Sequence, residues 1–257
     1  PAGQDRDTKD RPTAPRRAPR RNWVSAAVPV HPDRVPAAVG GLAAAGCAGL
    51  NGTIPHKGAV VECCSAVSAA VEAIGAANTL VPDGAGGFRA DNTDAEGFLR
   101  ALDEQAPIDL EGAETLVIGA GGAARAVVFA LRGRGAHVRV ANRTPQRAAE
   151  LGDPIPFVRD VLDVAVTRAA LVVNTTSLGL HGGEVPPELP LSGLGVGQVV
   201  ADIVYRPGGT PWLAAAAARG ARPVDGLGML LHQGAAAFEQ WTGVAPPVEV
   251  MREALGA

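Results

Sequence analysis

The sequence predicts an α/β protein of two domains, one of which carries a doubly wound parallel sheet. Three observations carry this reading. Thr115–Ala126 reads T-L-V-I-G-A-G-G-A-A-R-A, an apolar β-branched run, a glycine turn and the start of a helical stretch. Such a run suits a strand buried on both faces. Further apolar runs follow at His137–Ala141, Ala169–Val173, Val199–Val204 and Ala221–Val224, with the helical stretches Ala123–Leu131 and Pro211–Arg219 among them. Strands alternating with helices argue for parallel, doubly wound sheets. At 257 residues the chain is long enough for one large or two ordinary domains, and Gln105–Gly112 reads as the linker between them.

Taken in order, Pro1–Arg21 is polar, proline-rich and crowded with Arg6, Lys9, Arg11, Arg16, Arg17, Arg20 and Arg21. It cannot bury enough apolar surface to order itself and is expected to be disordered. Trp23–Val30 reads as a strand and Pro32–Ala45 as a helix closed by Gly46. Ala48–Thr53 reads as a short strand. Pro55 suits the first position of a helix continuing to about Ala73, which puts Lys57 in the first turn. Gly75–Pro82 and Gly87–Ala90 read as a strand pair about a glycine-rich turn. Thr93-Asp94-Ala95-Glu96 has the form of a capping box opening a helix to about Glu104. Beyond the linker, Leu227–Trp241 and Val248–Leu255 read as the last two helices.

Composition sets bounds. The net charge of −3 gives no bias toward nucleic acid or an anionic membrane, and no run of about 20 apolar residues exists to span one. Cys47, Cys63 and Cys64 are odd in number and two are adjacent. They suit reduced thiols in a cytoplasm rather than disulfides or a spaced metal site. His56 has the chemistry of a metal ligand but no second ligand beside it in sequence, so no metal is expected.

The glycine turn brings backbone N–H groups and a helix N-terminus to one point, where a pyrophosphate binds. Gly119, Ala120, Gly121, Gly122 and Ala123 are its expected contacts, with Ala124 where the usual fingerprint has a third glycine. The run His137–Ala141 ends at Asn142-Arg143-Thr144, about 20 residues on, where the fingerprint places its ribose-reading residue. No acid stands there to hold a 2′-hydroxyl. Arg143, and Arg147 one turn later, suit a 2′-phosphate, so the expected cofactor is NADP. A glycine turn also occurs in α/β domains without a cofactor, and the arginines would then be surface charges. Agreement of turn, strand and arginines favours the dinucleotide site and a Rossmann-like domain.

Lys57 and Asp94 are the candidates for proton chemistry. A cation in a first helical turn is disfavoured by the helix dipole, whereas a carboxylate there is favoured. One residue is thus pushed toward giving up its proton and the other is kept charged. Taken alone, each reads first as an ordinary surface charge.

The local words around them resemble the shikimate dehydrogenase family, which includes quinate dehydrogenases. Asn51-Gly52-Thr53-Ile54-Pro55-His56-Lys57, Ala76-Ala77-Asn78-Thr79 and Asn92-Thr93-Asp94 resemble its substrate domain. The glycine loop, Asn142-Arg143-Thr144, Asp202-Ile203-Val204-Tyr205 and Asp225-Gly226-Leu227-Gly228-Met229 through Gln233 resemble its cofactor half. The resemblance runs from about Trp23 to the C-terminus. It implies reversible NADPH-dependent reduction of 3-dehydroshikimate to shikimate, with Lys57 and Asp94 as the catalytic pair. It further implies that Thr53, Asn78, Tyr205 and Gln233 hold the substrate and that Ile203, Gly226 and Met229 line the nicotinamide pocket. The same residues would serve a quinate or aminoshikimate dehydrogenase. The implied organisation is a substrate-binding domain over 22–104, completed by 226–257, around an NADP-binding domain over 105–225. A cytoplasmic monomer or homodimer acting on a small cyclic acid is expected.

In one respect the chain departs from the family. Members begin with a strand and a Ser-x-Ser-Pro word that holds the substrate carboxylate, and nothing in Pro1–Arg21 matches it. The expectation is an opened carboxylate site and two strands, Trp23–Val30 and Ala48–Thr53, short of a ladder partner. A non-catalytic NADP-binding protein is the reading in which that loss is disabling.

Overall fold

The computed structural model describes residues 23–206 and 208–256. The segment expected to be disordered, 1–21, lies outside them. A 3-10 turn at Pro32–Arg34 leads into α1 (Val35–Ala44). Then come β1 (Leu50–Asn51), a 3-10 turn at Val61–Cys63, β2 (Ala66–Val67), α2 (Ala69–Ile74), β3 (Thr79–Pro82), β4 (Phe88–Asp91) and α3 (Asp94–Gln105). The second stretch runs β5 (Glu114–Ile118), α4 (Gly122–Gly133), β6 (His137–Ala141), α5 (Pro145–Ala149), β7 (Asp153–Ile155), α6 (Arg159–Arg168) and β8 (Leu171–Asn174). It continues with β9 (Val199–Asp202), α7 (Pro211–Ala217) and β10 (Arg222–Val224). Two helices, α8 (Gly226–Thr242) and α9 (Val248–Leu255), end the chain.

Two sheets result. The larger has the order β10-β9-β8-β5-β6-β7 and is parallel throughout. All four residues of β8 and all four of β9 are buried, as interior parallel strands require. The order reverses between β5 and β8, and in open α/β sheets ligands bind outside the carboxyl ends of the strands at that switch point. The smaller sheet has the order β1-β3-β4-β2, with β2 parallel to β4 and the other pairs antiparallel.

The two halves are joined through α2 and α3, whose apolar residues pack into the core of the large sheet. One cluster joins Ile74, Phe98 and Leu102 to Val117, Val127, Leu131 and Val173, and α3 packs on both α4 and α8. The far side of the large sheet has its own core around Leu116, Ile118 and the fully buried Trp212. The small sheet packs Val35, Val39, Val60 and Val71 against Leu80 and Phe88. From the end of the chain α8 returns to the small sheet, where Trp241 Nε1 donates to the Leu80 carbonyl at 3.0 Å. Among the described residues no helix is long and apolar enough to cross a membrane.

Two expected elements are replaced. Trp23–Val30 forms no strand: residues 23–29 are exposed, and Val30 packs on the core. Apolar content therefore did not translate into a ladder. The helix expected from Pro55 to Ala73 does not form either. Ile54-Pro55 is a cis peptide, and turns follow as far as the 3-10 segment. The Lys57 carbonyl, which a helix would give to residue 61, instead accepts from the Ala77 N–H at 2.7 Å. Gly58, a poor helix residue, comes next. Only the last third of the expected helix survives, as α2, capped by Ser68 and ended by Gly75. Cys63 and Cys64 therefore sit in a turn, unbridged. Burial, followed by the neighbouring Cys63 and Asp83 charges, pushes the Cys64 thiol up to about 11.

Candidate active site

The site forms where three turns meet the first turn of α3. Lys57 Nζ lies 2.6 Å from Asp94 Oδ2, with the lysine side chain 14% and the aspartate 5% exposed. The pair is thus nearly dry, where charges interact more strongly than in water. Asp94 starts α3, and its own N–H and that of Ala95 donate to Asn92 Oδ1 at 3.0 and 3.3 Å. The cap of α3 is therefore Asn92, not the expected Thr93–Glu96 box. The Thr93 hydroxyl is turned inward to Asn78 and Thr79, and Glu96 pairs with Arg100 on the surface.

Asn78 is the hub. Its Nδ2 lies 2.9 Å from Asp94 Oδ1, 2.9 Å from Thr93 Oγ1 and 3.1 Å from Gln233 Oε1. Its Oδ1 accepts from the Thr93 N–H at 2.8 Å, which fixes the amide's orientation. Its backbone carbonyl accepts from the Gly52 N–H and from Asn51 Nδ2. One buried residue thus ties three parts together: its backbone carbonyl holds the loop before Lys57, and its side chain holds the start of α3 and the middle of α8. Gln233, half-buried, gives its own Nε2 to the Leu230 carbonyl at 3.0 Å.

Because Lys57 is not helical, no helix of its own opposes its charge. The neighbouring helix is α4. A Cβ added at Gly122, the first residue of α4, would stand 3.1 Å from Lys57 Cβ and 3.3 Å from Cδ. The lysine stem thus lies directly on the glycine turn, bringing the proton-transfer candidate and the dinucleotide turn side by side.

The turn has the required shape. Gly119 has φ +114°, and a Cβ there would collide with Thr175 at the end of β8. Gly121 faces open space, and the first N–H groups of α4 have no side-chain cap among the described residues, as an anion site needs. At the end of β6, Arg143 and Arg147 are exposed and without an ion pair among the described residues, while Asn142 Nδ2 holds the Thr144 carbonyl at 2.9 Å. Donors and cations of this kind fit a dinucleotide carrying a 2′-phosphate.

On the other side of the switch point, a Cβ at Gly226 would meet the Ile203 carbonyl oxygen at 2.6 Å, so α8 begins against the loop after β9. Met229 is buried in the shared core, and Ile203 packs on that same cluster. Asp202 anchors the loop. It accepts from Thr210 Oγ1 at 2.7 Å, Asn174 Nδ2 at 2.9 Å and the Val204 N–H at 3.1 Å. Burial pushes its carboxyl up to about 6 against the pull of those bonds. Nothing in the local sequence singles out Asp202 as a tie between β8, β9 and α7, because its partners lie 28 and eight residues away.

Not every expected residue joins the network. Thr53 is exposed, Tyr205 is 56% exposed, and neither side chain makes a hydrogen bond among the described residues. A cavity of about 800 Å³ lies elsewhere, lined by Glu114, Arg132, His137, Arg139, Asp153 and Arg168. It sits at the amino ends of β5, β6 and β7, away from the switch point. Arg132 and Arg168 close the last turns of α4 and α6, where a cation complements the helix dipole.

The chain is similar to known proteins along most of its length. Residues 17–80 match the shikimate dehydrogenase substrate binding domain, residues 101–175 the shikimate / quinate 5-dehydrogenase model, and residues 226–255 the shikimate 5'-dehydrogenase C-terminal domain. The chain is 43% identical over 247 residues to the shikimate dehydrogenase (NADP(+)) of Methanopyrus kandleri, covering 91% of this chain and 85% of that one. It is 46% identical over 253 residues to that of Moorella thermoacetica, covering 92% and 85%. Among solved structures it is similar to shikimate 5-dehydrogenase of Thermus thermophilus in complex with NADP(H) and shikimate. There the identity is 37%, the TM-score 0.75, and the coverage 88% of this chain and 85% of that one.

Proposed function

The chain belongs to the shikimate dehydrogenase family, and from that premise we propose that it catalyses the reversible NADPH-dependent reduction of 3-dehydroshikimate to shikimate. It is an NADP-dependent oxidoreductase with a small-molecule substrate. The observation that carries the proposal is the buried Lys57–Asp94 pair, 2.6 Å apart and packed against Gly122 of the dinucleotide turn.

NADPH, when bound, supplies the hydride. The protein's own groups handle the proton and the orientation. Lys57 Nζ gives a proton to the ketone oxygen as negative charge develops there, and in the reverse direction the neutral amine takes the hydroxyl proton back as the hydride leaves the carbon. Asp94 holds Lys57 in place through Oδ2. Its carboxylate oxygens keep lone pairs for a substrate hydroxyl. Asn78 and Gln233 present amides toward the same point, and a ring with several hydroxyls needs such paired donors and acceptors. Thr53 and Tyr205 are proposed to close on the substrate from the exposed rim. The glycine turn, with Ala120 and Ala123, is proposed to hold the pyrophosphate; Asn142, Arg143, Thr144 and Arg147 the 2′-phosphate; and Ile203, Gly226 and Met229 the nicotinamide. The proposed division is a substrate half, 22–104 with 226–257, around an NADP half, 105–225. A cytoplasmic monomer or homodimer belongs to the same proposal.

The test is the appearance of reduced-nicotinamide absorbance, NADPH from NADP or NADH from NAD, with shikimate, quinate or aminoshikimate as substrate. Shikimate with NADP should give the highest kcat/KM. No turnover with any cyclic acid, alongside retained NADP binding, would overturn the reading in favour of a non-catalytic binder.

A further inference from the structure

Gly97 is buried on α3, one turn after Asp94 and so on the same face. A Cβ there would stand 2.7 Å from the Gln233 backbone nitrogen, 2.8 Å from its Cβ and 3.0 Å from its Cα. These atoms belong to the helical backbone of α8 and its first side-chain carbon, so no rotamer change can move them aside. Gln233 is also the residue whose Oε1 lies 3.1 Å from Asn78 Nδ2, beside the carboxylate of Asp94. One of the points of closest approach between the two helices is thus the point at which α8 delivers its amide.

Building on the function proposed above, we propose that Gly97 is a positioning residue for that reaction: by lacking a side chain it lets α8 approach α3 closely enough for Gln233 to reach the substrate site. Ordinary carbon contacts fall at about 3.5–4.0 Å. An alanine at position 97 must therefore push α8 away by roughly 0.7 Å or more. The same shift stretches the Gln233–Asn78 contact past hydrogen-bond range. The change falls on one substrate-facing amide and leaves Lys57, Asp94 and the glycine turn in place. The loss belongs in substrate affinity, not in cofactor binding or the proton step.

The experiment compares the full chain with Gly97→Ala, Gln233→Ala and the double variant, reading kcat, KM for shikimate and NADPH affinity by fluorescence. Gly97→Ala should raise KM for shikimate by about 10-fold. Its kcat should stay within about 3-fold of the parent and its NADPH affinity unchanged, because only uniform binding is lost. The double variant should match Gln233→Ala alone, because a residue that acts only through Gln233 adds nothing once that amide is gone. Gly234→Ala is the helix control: a Cβ there meets nothing within 4 Å, and KM should not move. Multiplying effects in the double variant, or an unchanged KM in Gly97→Ala beside an active parent, overturns the proposal alone. A parent inactive with shikimate overturns the functional reading and this role with it. Should Gly97→Ala fail to fold, Ala101→Ser wedges the same seam one turn on, where a Cβ at Gly228 would lie 3.1 Å from Ala101 Cβ. It should raise KM at least threefold with the same non-additivity, and an unchanged KM there overturns the proposal.

Discussion

Asp94→Asn tests the site at its most buried point. The substitution keeps shape and removes one negative charge. Lys57, 14% exposed, is left as a nearly buried cation with no counter-ion, 2.6 Å from whichever amide atom replaces Oδ2. The asparagine cannot satisfy both neighbours. Lys57 Nζ and Asn78 Nδ2 are donors on opposite oxygens of the present carboxylate, so the new NH₂ group must face one of them. Removing one partner of a buried pair costs about 3–5 kcal/mol. Total stability is of the order of 5–15 kcal/mol. At about 2–4 °C per kcal/mol for a chain of this size, Tm should fall by about 6–20 °C. Loss of Lys57 alignment should also lower kcat by about 10²-fold. The companion variant Lys57→Met/Asp94→Leu removes both charges and leaves Asn78 its other acceptors, Thr93 and Gln233. Replacing a buried pair by apolar groups is often neutral or stabilising. That protein should melt near the parent temperature while remaining inactive. Calorimetry and the NADPH assay read both. A Tm for Asp94→Asn within about 2 °C of the parent, or a double variant no more stable than the single, would refute the account of the pair as a dry, mutually dependent unit.

Other outcomes follow from the same geometry. Lys57→Met alone should lower kcat by about 10²-fold or more with substrate KM little changed, and near-normal turnover would remove Lys57 from the mechanism. Arg143→Asp should sharply reduce use of NADP and leave NAD use nearly intact, since a guanidinium facing a 2′-phosphate becomes a like charge; equal losses with both cofactors count against its assignment. Asp202, with its carboxyl raised to about 6 from an ordinary 3.8, binds a proton more readily folded than unfolded. Its charged form therefore costs stability above pH 6, and that cost is relieved as pH falls from about 6 toward 4, by an amount on the order of 3 kcal/mol. Urea titrations should show this pH dependence in the parent and not in Asp202→Asn; identical profiles would refute it. Among the described residues the two-residue β1 pairs with β3 alone, at the edge of its sheet, so in hydrogen exchange it should exchange quickly and Leu116–Ile118 of β5 slowly; equal protection would refute this.

The sequence makes the large sheet legible because each of its inner strands must be apolar on both faces. Leu116–Ile118, Val172–Val173 and Val199–Ala201 announce themselves as β-branched or leucine runs. The edge strand β7 escapes notice because Pro154 sits within it, which only an edge tolerates. Trp23–Val30 misleads for the converse reason: its apolar residues carry no information about whether a partner lies alongside. The residue types of the site are readable from local words, but its wiring is not. Lys57 and Asp94 lie 37 positions apart, and Asn78 and Gln233 lie 155 apart. The failed helix at Pro55 shows the same limit, since the competing donor to the Lys57 carbonyl, the Ala77 N–H, is 20 residues distant.

The apolar cluster that runs from Ile74 and Phe98 into Val117 and Val127 bears on how the molecule can be divided. A fragment spanning 105–225 holds the whole parallel sheet, yet the face of α4 that now lies under α3 would open to water. Such a bared patch of Ala and Val invites self-association. The nucleotide half is therefore a poor module to lift out and graft onto another substrate unit, unless α3 travels with it or the face of α4 is rewritten with polar side chains.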